Sequence, residues 1–319
     1  MKSVRCCSFA AAVLMVSACT SGKIAPVREG FIEVEGGRVW YRVVGSGPKT
    51  PLLLLHGGPG VPHYYLKPLS GLADERPVIF YDQLGAGKSD RPTDTTLWRF
   101  DRFVNEITRV REALGLKEIH LYGHSWGCEL AVAYLMTKPA GVRSVILAGP
   151  ALSPTRFSHD RDSLMHTLPD SIYSVMVRHE RDGTLDAPEY LQALRIFFEH
   201  FHARRLPWSA DLDSSVASIN PIIGRYIGPG RSDTTDDPSE RLREIHVPTL
   251  FTVGRFDWAP TLATAKYYQS LVPGSRVVVL ENSGHLTMHD EPEKNNEVIR
   301  EFLHSVEAQS VTSQKGRPR

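Results

Sequence analysis

A serine set between glycines, Gly123-His124-Ser125-Trp126-Gly127, is the residue of this chain best placed to act as a nucleophile. It follows the apolar run Ile119-His120-Leu121-Tyr122 and precedes a helix-like segment over residues 129–136. A strand that turns sharply into a helix lifts the serine oxygen clear of the backbone, and flanking glycines let the two elements close up around the turn. The residue after the serine opens the helix, so the Trp126 N–H points toward any oxyanion formed there. Taken alone, the pentapeptide also fits an inert strand–turn–helix junction.

A serine needs a base, and the base needs an orienting acid. Downstream, the β-branched run 247–253 ends in Gly254-Arg255-Phe256-Asp257, a turn that carries an acid. A second run, Arg276-Val277-Val278-Val279-Leu280, ends in Glu281-Asn282-Ser283-Gly284-His285. Asp257 alone reads as a turn cap, and His285 as one of 13 histidines on a surface loop. Serine, acid and base in that chain order, each just past a strand, point instead to nucleophilic acyl transfer at the carboxyl edge of a parallel sheet. Leu52-Leu53-Leu54-Leu55 is a further buried strand, followed by His56-Gly57-Gly58-Pro59-Gly60. Such a loop presents bare N–H groups to a ligand, so Gly58 is expected to be the second oxyanion donor beside Trp126, in preference to an ordinary Gly/Pro turn.

The elements that must hold these residues alternate between strand and helix. Residues 77–81 and 142–147 read as strands, and 97–114 as an amphipathic helix with Phe100, Phe103, Val104, Ile107, Val110 and Leu114 on one face. The alternation predicts an α/β fold, a mostly parallel central sheet flanked by helices. Between 151 and 240 the strands stop, leaving helix-like, Pro- and charge-rich segments. The core is expected over 31–150 and 241–305. Phe197, Phe198, Phe201 and Trp208 are expected to pack a small core of the 151–240 segment more than to line a pocket. Asp82 and Gln83 are expected to brace loops, and Cys128 to pack as a small residue. His63-Tyr64-Tyr65 divides evenly between pocket rim and solvated packing.

Together, His56-Gly57-Gly58-Pro59-Gly60, Asp82-Gln83-Leu84-Gly85-Ala86-Gly87-Lys88-Ser89, Gly123–Gly127, Gly254-Arg255-Phe256-Asp257 and Ser283-Gly284-His285 resemble the proline iminopeptidases, serine peptidases of the α/β-hydrolase fold. The resemblance runs from about residue 34 to 303 and implies that 151–240 is a helical cap inserted over the active site. It implies a Ser125–Asp257–His285 triad, Gly58 and Trp126 as oxyanion donors, and release of N-terminal proline or another small residue. The subgroup it resembles holds the substrate's amine with two glutamates, one after a Gly-Pro-Asn in the cap and one directly after the triad aspartate. Here those places read Gly228-Pro229-Gly230-Arg231 and Trp258. An arginine repels an ammonium, and a tryptophan offers only a ring face. Asp233, Asp236, Glu199 and Glu129 are other sources of an anion. The departure keeps a second reading open, an esterase, lactonase or amidase for a non-peptide small molecule, with Gly57, Arg231 and Trp258 touching substrate. A non-catalytic protein that kept the fold is the third class; the full catalytic set disfavours it. Dehalogenase and epoxide-hydrolase chemistry is disfavoured by a serine where those relatives carry aspartate.

Charge balance at +1 in 319 residues, 41% of them hydrophobic, gives no electrostatic case for nucleic acid and leaves ample material for one large core. No cofactor and no metal is expected, since His200 and His202 lack a cluster with ligand spacing. Lys2 and Arg5, the apolar run 9–16 and Val16-Ser17-Ala18-Cys19 read as a secretory signal over 1–18 ending in a lipobox, with Cys19 acylated and 19–30 a tether. The expected setting is a bacterial cell envelope, the enzyme lipid-anchored on a membrane surface, periplasm-facing at the outer membrane. After cleavage only Cys19 and Cys128 remain, so no internal disulfide is expected. The polar stretch 306–319 is expected to be a disordered tail.

Overall fold

The computed structural model describes residues 26–227 and 237–315, with side chains to 309. Eight strands form one sheet: β1 (Val27–Val34), β2 (Gly37–Val44), β3 (Leu52–Leu55), β4 (Val78–Tyr81), β5 (Ile119–His124), β6 (Val142–Ala148), β7 (Thr249–Gly254) and β8 (Arg276–Leu280). Their order is β1-β2-β4-β3-β5-β6-β7-β8. β2 runs opposite to the other seven strands, so its pairings with β1 and β4 are antiparallel; the pairs from β4 to β8 are all parallel.

Every residue of β3, β4, β5 and β7 is buried, as a parallel sheet covered on both faces demands. The two-residue period sorts their side chains into two cores. Leu53, Leu55, Ile79 and Leu121 face one side, under α1 (Phe100–Ala113), α2 (Trp126–Met136) and α8 (Leu262–Leu271). Leu52, Leu54, Val78 and Tyr122 face the other, under the 3-10 helix His63–Leu72, α9 (Thr287–Asp290) and α10 (Pro292–Lys315). Helix α1 begins later than its periodicity predicts, because Asp94 caps a separate 3-10 turn, Thr95–Leu97, that takes Leu97.

The cap comprises α3 (Pro154–Met165), α4 (Asp170–Asp182), α5 (Pro188–Phe201), α6 (Ala210–Ala217) and α7 (Ile223–Tyr226). Its own core holds Met165, Met176, Tyr190, Phe197 and Phe201. Backbone bonds sew it to the sheet's upper loops. His285 and Leu286 donate to the Phe201 and His202 carbonyls at 2.9 and 2.8 Å, and Asn220 donates to Gly60 O at 3.0 Å.

Two boundaries read from the sequence are corrected. The tether overlaps β1, whose residues 27–30 pair with 41–44 of β2. The supposed tail continues as helix α10 to Lys315, because Val306 packs into the core and Glu307 bonds the buried Arg76 at 2.6 Å. Residues 1–25, with the signal segment and Cys19, lie outside the described residues, as do 228–236 with Arg231, Asp233 and Asp236.

Candidate active site

Pairing of strand ends assembles the site. Leu55 of β3 pairs with Gly123 of β5, so the loop 56–60 and the turn at Ser125 start side by side where the strand order reverses. Gly254 of β7 pairs with Leu280 of β8, which brings the Asp257 and His285 loops together in the same way.

Ser125 sits between β5 and α2 at φ 53°, ψ −120°, a conformation a residue with a Cβ adopts only at a cost. The glycines beside it are required by contact. A Cβ on Gly123 would collide with the Gly127 carbonyl, and one on Gly127 with the carbonyl of Leu55. Trp126 is the first residue of α2, so its N–H has no acceptor within the helix.

Asp257 is fully buried. Its Oδ1 accepts from the Ala259 N–H at 2.8 Å and from His285 Nδ1 at 2.9 Å, while Oδ2 has no partner. His285 therefore carries its neutral-state proton on Nδ1 and a lone pair on Nε2. Its loop is held by Gly284 N–H to Asp290 Oδ2 at 2.8 Å and by Ser283 Oγ to Glu291 Oε2 at 2.6 Å.

The 56–60 loop is pinned as firmly. Gln83 N–H donates to His56 Nε2 at 2.9 Å, so His56 Nδ1–H is left to donate to Gly57 O, also at 2.9 Å. Burial pushes His56 down to about 4, which keeps this donor–acceptor order at neutral pH. In a trans peptide the N–H opposes the C=O, so holding Gly57 O turns the Gly58 N–H away from His56. Asp82 accepts from His63 N and Nδ1 at 2.9 and 2.8 Å and from Lys88 N at 2.9 Å, bracing loops as expected.

Ser125, His285, Gly57, Gly58 and Trp258 line one cavity of about 380 Å³. Tyr65, His124, Phe157, Phe198 and His202 share it, and no described lining residue is an aspartate or glutamate. Burial, and then the neighbouring His285, pushes His124 and His202 well below the usual imidazole range, so both are neutral. The Trp126 side chain points elsewhere, into the core, with its indole N–H 3.3 Å from Gln83 Oε1.

The cap aromatics divide. Phe197 and Phe201 pack the cap core and Trp208 packs over the sheet, but Phe198 faces the cavity. Cys128 is buried, its Sγ against Gly123 O, and burial pushes the thiol well up. Glu199 pairs with Arg195 at 2.6 Å, and Glu129 is buried off the cavity. Sequence reasoning did not single out Phe157, Leu212, Ser215 or Ile219, all cap residues on the lining, because no local motif marks them.

The mostly parallel sheet, the strained serine turn and the bonded acid–histidine pair define an α/β hydrolase, and a family model described as alpha/beta hydrolase fold matches residues 50–292. The proline iminopeptidase of Heyndrickxia coagulans is 44% identical over 287 residues, which are 87% of this chain and 99% of that protein. Among solved structures, VinJ superposes with TM-score 0.82 at 32% identity, covering 88% of this chain and 99% of its own. A proline iminopeptidase from Mycobacterium smegmatis superposes with TM-score 0.80 at 29% identity over 89% and 100%. The chain belongs to the proline iminopeptidase family, and it is a hydrolase.

Proposed function

We propose that this hydrolase works through an acyl-enzyme on Ser125 and releases N-terminal proline or another small residue from peptides or amides. The observation that carries the mechanism is the 2.9 Å bond from His285 Nδ1 to the buried Asp257, with His285 lining the same cavity as Ser125. His285 Nε2 takes the serine proton as Oγ attacks the carbonyl carbon, and Asp257 stabilises the imidazolium. The N–H groups of Gly58 and Trp126 receive the oxyanion. His285 then gives the proton to the leaving amine, and water repeats the sequence to free the acid. The substrate class is drawn from the relatives named above, and a cavity of about 380 Å³ suits a small acyl group.

One observation favours a second reading, hydrolysis of an ester, lactone or amide that is not a peptide. The described lining offers no carboxylate to an ammonium, and a desolvated ammonium without a counter-ion is costly. Turnover of a prolyl arylamide, its N-acylated counterpart and a simple aryl ester separates the two. Preference for the unblocked prolyl compound supports the aminopeptidase; preference for the blocked compound or the ester overturns it in favour of the second reading.

We further propose that the chain is a lipoprotein acylated at Cys19 and held on an envelope membrane. The support is the sequence of residues 2–19 alone. Cys19→Ser is expected to move the protein from the membrane to the soluble fraction, and unchanged membrane association would overturn the proposal. Among the described residues no helix is long and apolar enough to cross a membrane.

A further inference from the structure

Tyr65 and His124 lie on the cavity, bonded to each other, with no part in the proton transfers above. The Gly57 N–H approaches Tyr65 Oη at 2.7 Å, Tyr65 Oη lies 2.9 Å from His124 Nδ1, and His124 Nε2 lies 3.2 Å from the carbonyl oxygen of His285. Donor and acceptor roles are forced from both ends. A peptide N–H only donates, so Tyr65 Oη accepts from Gly57. A carbonyl only accepts, so His124 carries its proton on Nε2 and its Nδ1 is bare. The single phenol proton therefore lies on the Tyr65–His124 bond. Both side chains are buried, which keeps the phenol protonated and the imidazole neutral. The Gly57 N–H thus only donates, the His285 carbonyl only accepts, and Tyr65 and His124 each accept on one side and donate on the other.

The relay joins two loops that are far apart in sequence. One end fixes the peptide before the Gly57–Gly58 peptide, whose carbonyl His56 already holds. The other end fixes the backbone of the residue whose ring bonds Asp257. Tyr65 also donates its own N–H to Ser215 Oγ of α6 at 3.0 Å, so the phenol's backbone is tied to the cap. We propose that Tyr65 and His124 are positioning residues: as one uncharged hydrogen-bond relay, they set the spacing between the Gly58 N–H donor and the His285 base.

This inference rests on the acyl-enzyme reading above, and the test separates the two. The rate at which a fluorophosphonate probe labels Ser125 reports nucleophile, base and oxyanion donors together, without knowledge of the natural substrate. The wild-type protein is expected to label. Tyr65→Phe keeps the ring and removes the relay oxygen; its labelling rate is expected to fall about tenfold or more, with KM for any turned-over substrate nearly unchanged. His124→Gln keeps an acceptor and a donor and is expected to retain more of the rate than His124→Leu, which keeps neither. The Tyr65→Phe, His124→Leu double variant is expected to be no slower than the slower single variant, since either change breaks the same relay. No labelling of wild type overturns the acyl-enzyme reading and this inference with it. Labelling of wild type with an unchanged rate in Tyr65→Phe overturns the relay alone. Should Tyr65→Phe not fold, equal rates in His124→Gln and His124→Leu overturn it as well.

Discussion

The indole N–H of Trp258 donates to Nδ1 of His202 at 3.2 Å. Because burial keeps His202 neutral, that bond leaves the imidazole proton on Nε2, and the ring shares the cavity wall with Phe198 and His285. This wall is an aromatic plane and a neutral imidazole instead of a carboxylate. Trp258→Phe keeps the plane and removes the bond. A neutral hydrogen bond contributes about 1 kcal/mol, so KM is expected to rise about fivefold with kcat within about twofold. Steady-state kinetics on the best of the three compounds named above measures it, and an unchanged KM would rule the bond out of binding.

Asp257→Asn separates charge from orientation. The amide oxygen can occupy the Oδ1 place and keep both the Ala259 and the His285 bonds, with the amide nitrogen at the buried Oδ2 place. What is lost is the negative charge facing an imidazolium. We expect kcat to fall by at least about a hundredfold. Near-normal kcat would mean that the carboxylate serves orientation only.

The turn at Ser125 stores strain that glycine would release. A non-glycine residue in such a backbone conformation costs on the order of 1–3 kcal/mol, against which a glycine loses about 0.5–1 kcal/mol in chain entropy. Ser125→Gly and Ser125→Ala should both be inactive, and the glycine variant should be more stable by about 1 kcal/mol. Chemical denaturation of the two proteins is the measurement. Equal stabilities would limit the strain to the roughly 0.5–1 kcal/mol that glycine loses in chain entropy.

Glu129, one turn into α2, is buried and pushed by desolvation from 4.5 to about 8. Below the lower value the acid is protonated in both the folded and the unfolded chain, so it has no effect on the balance. Between the two values the unfolded chain has lost its proton and the folded one has kept it, so stability falls as pH rises, by up to about 1.4 kcal/mol per pH unit. Denaturation midpoints from about pH 5 to 8 should therefore decline in the wild type and decline less in Glu129→Gln. Parallel curves would contradict the buried-acid account.

The end of α10 can be tested by removing it. Arg76 is buried under Glu307, which is itself partly exposed. Truncation before Val306 leaves the guanidinium without that partner and opens the apolar core beside it. We expect a loss of about 2–4 kcal/mol, somewhat under that for breaking a fully enclosed pair. A truncated chain as stable as the whole would return this segment to the status of a tail.

Much of the site is legible in the sequence because Ser125, Asp257 and His285 each come shortly after an apolar run, in a turn that contains Gly123, Gly254 or Gly284. A strand pattern that stops at a glycine and a polar residue announces both the element and its edge. Tyr65 and His124 carry no such mark. Their partnership joins positions 59 residues apart, and nothing in the spacing of either says which way it faces. The cap lining is hidden for a related reason. Phe197 and Phe198 are adjacent and chemically identical, yet one packs inward and one faces the cavity, a difference decided by helix rotation against neighbours. The helical run to Lys315 was concealed by its polarity, since its anchor is an ion pair with Arg76, some 230 residues upstream.

The backbone bonds at Gly60 and at His285 tie the cap to the walls of the cavity it covers. A shift of the cap against the sheet would therefore tug on the 56–60 loop and on the histidine loop at once. Admission of a substrate and alignment of the groups around it are then mechanically linked, not separate events.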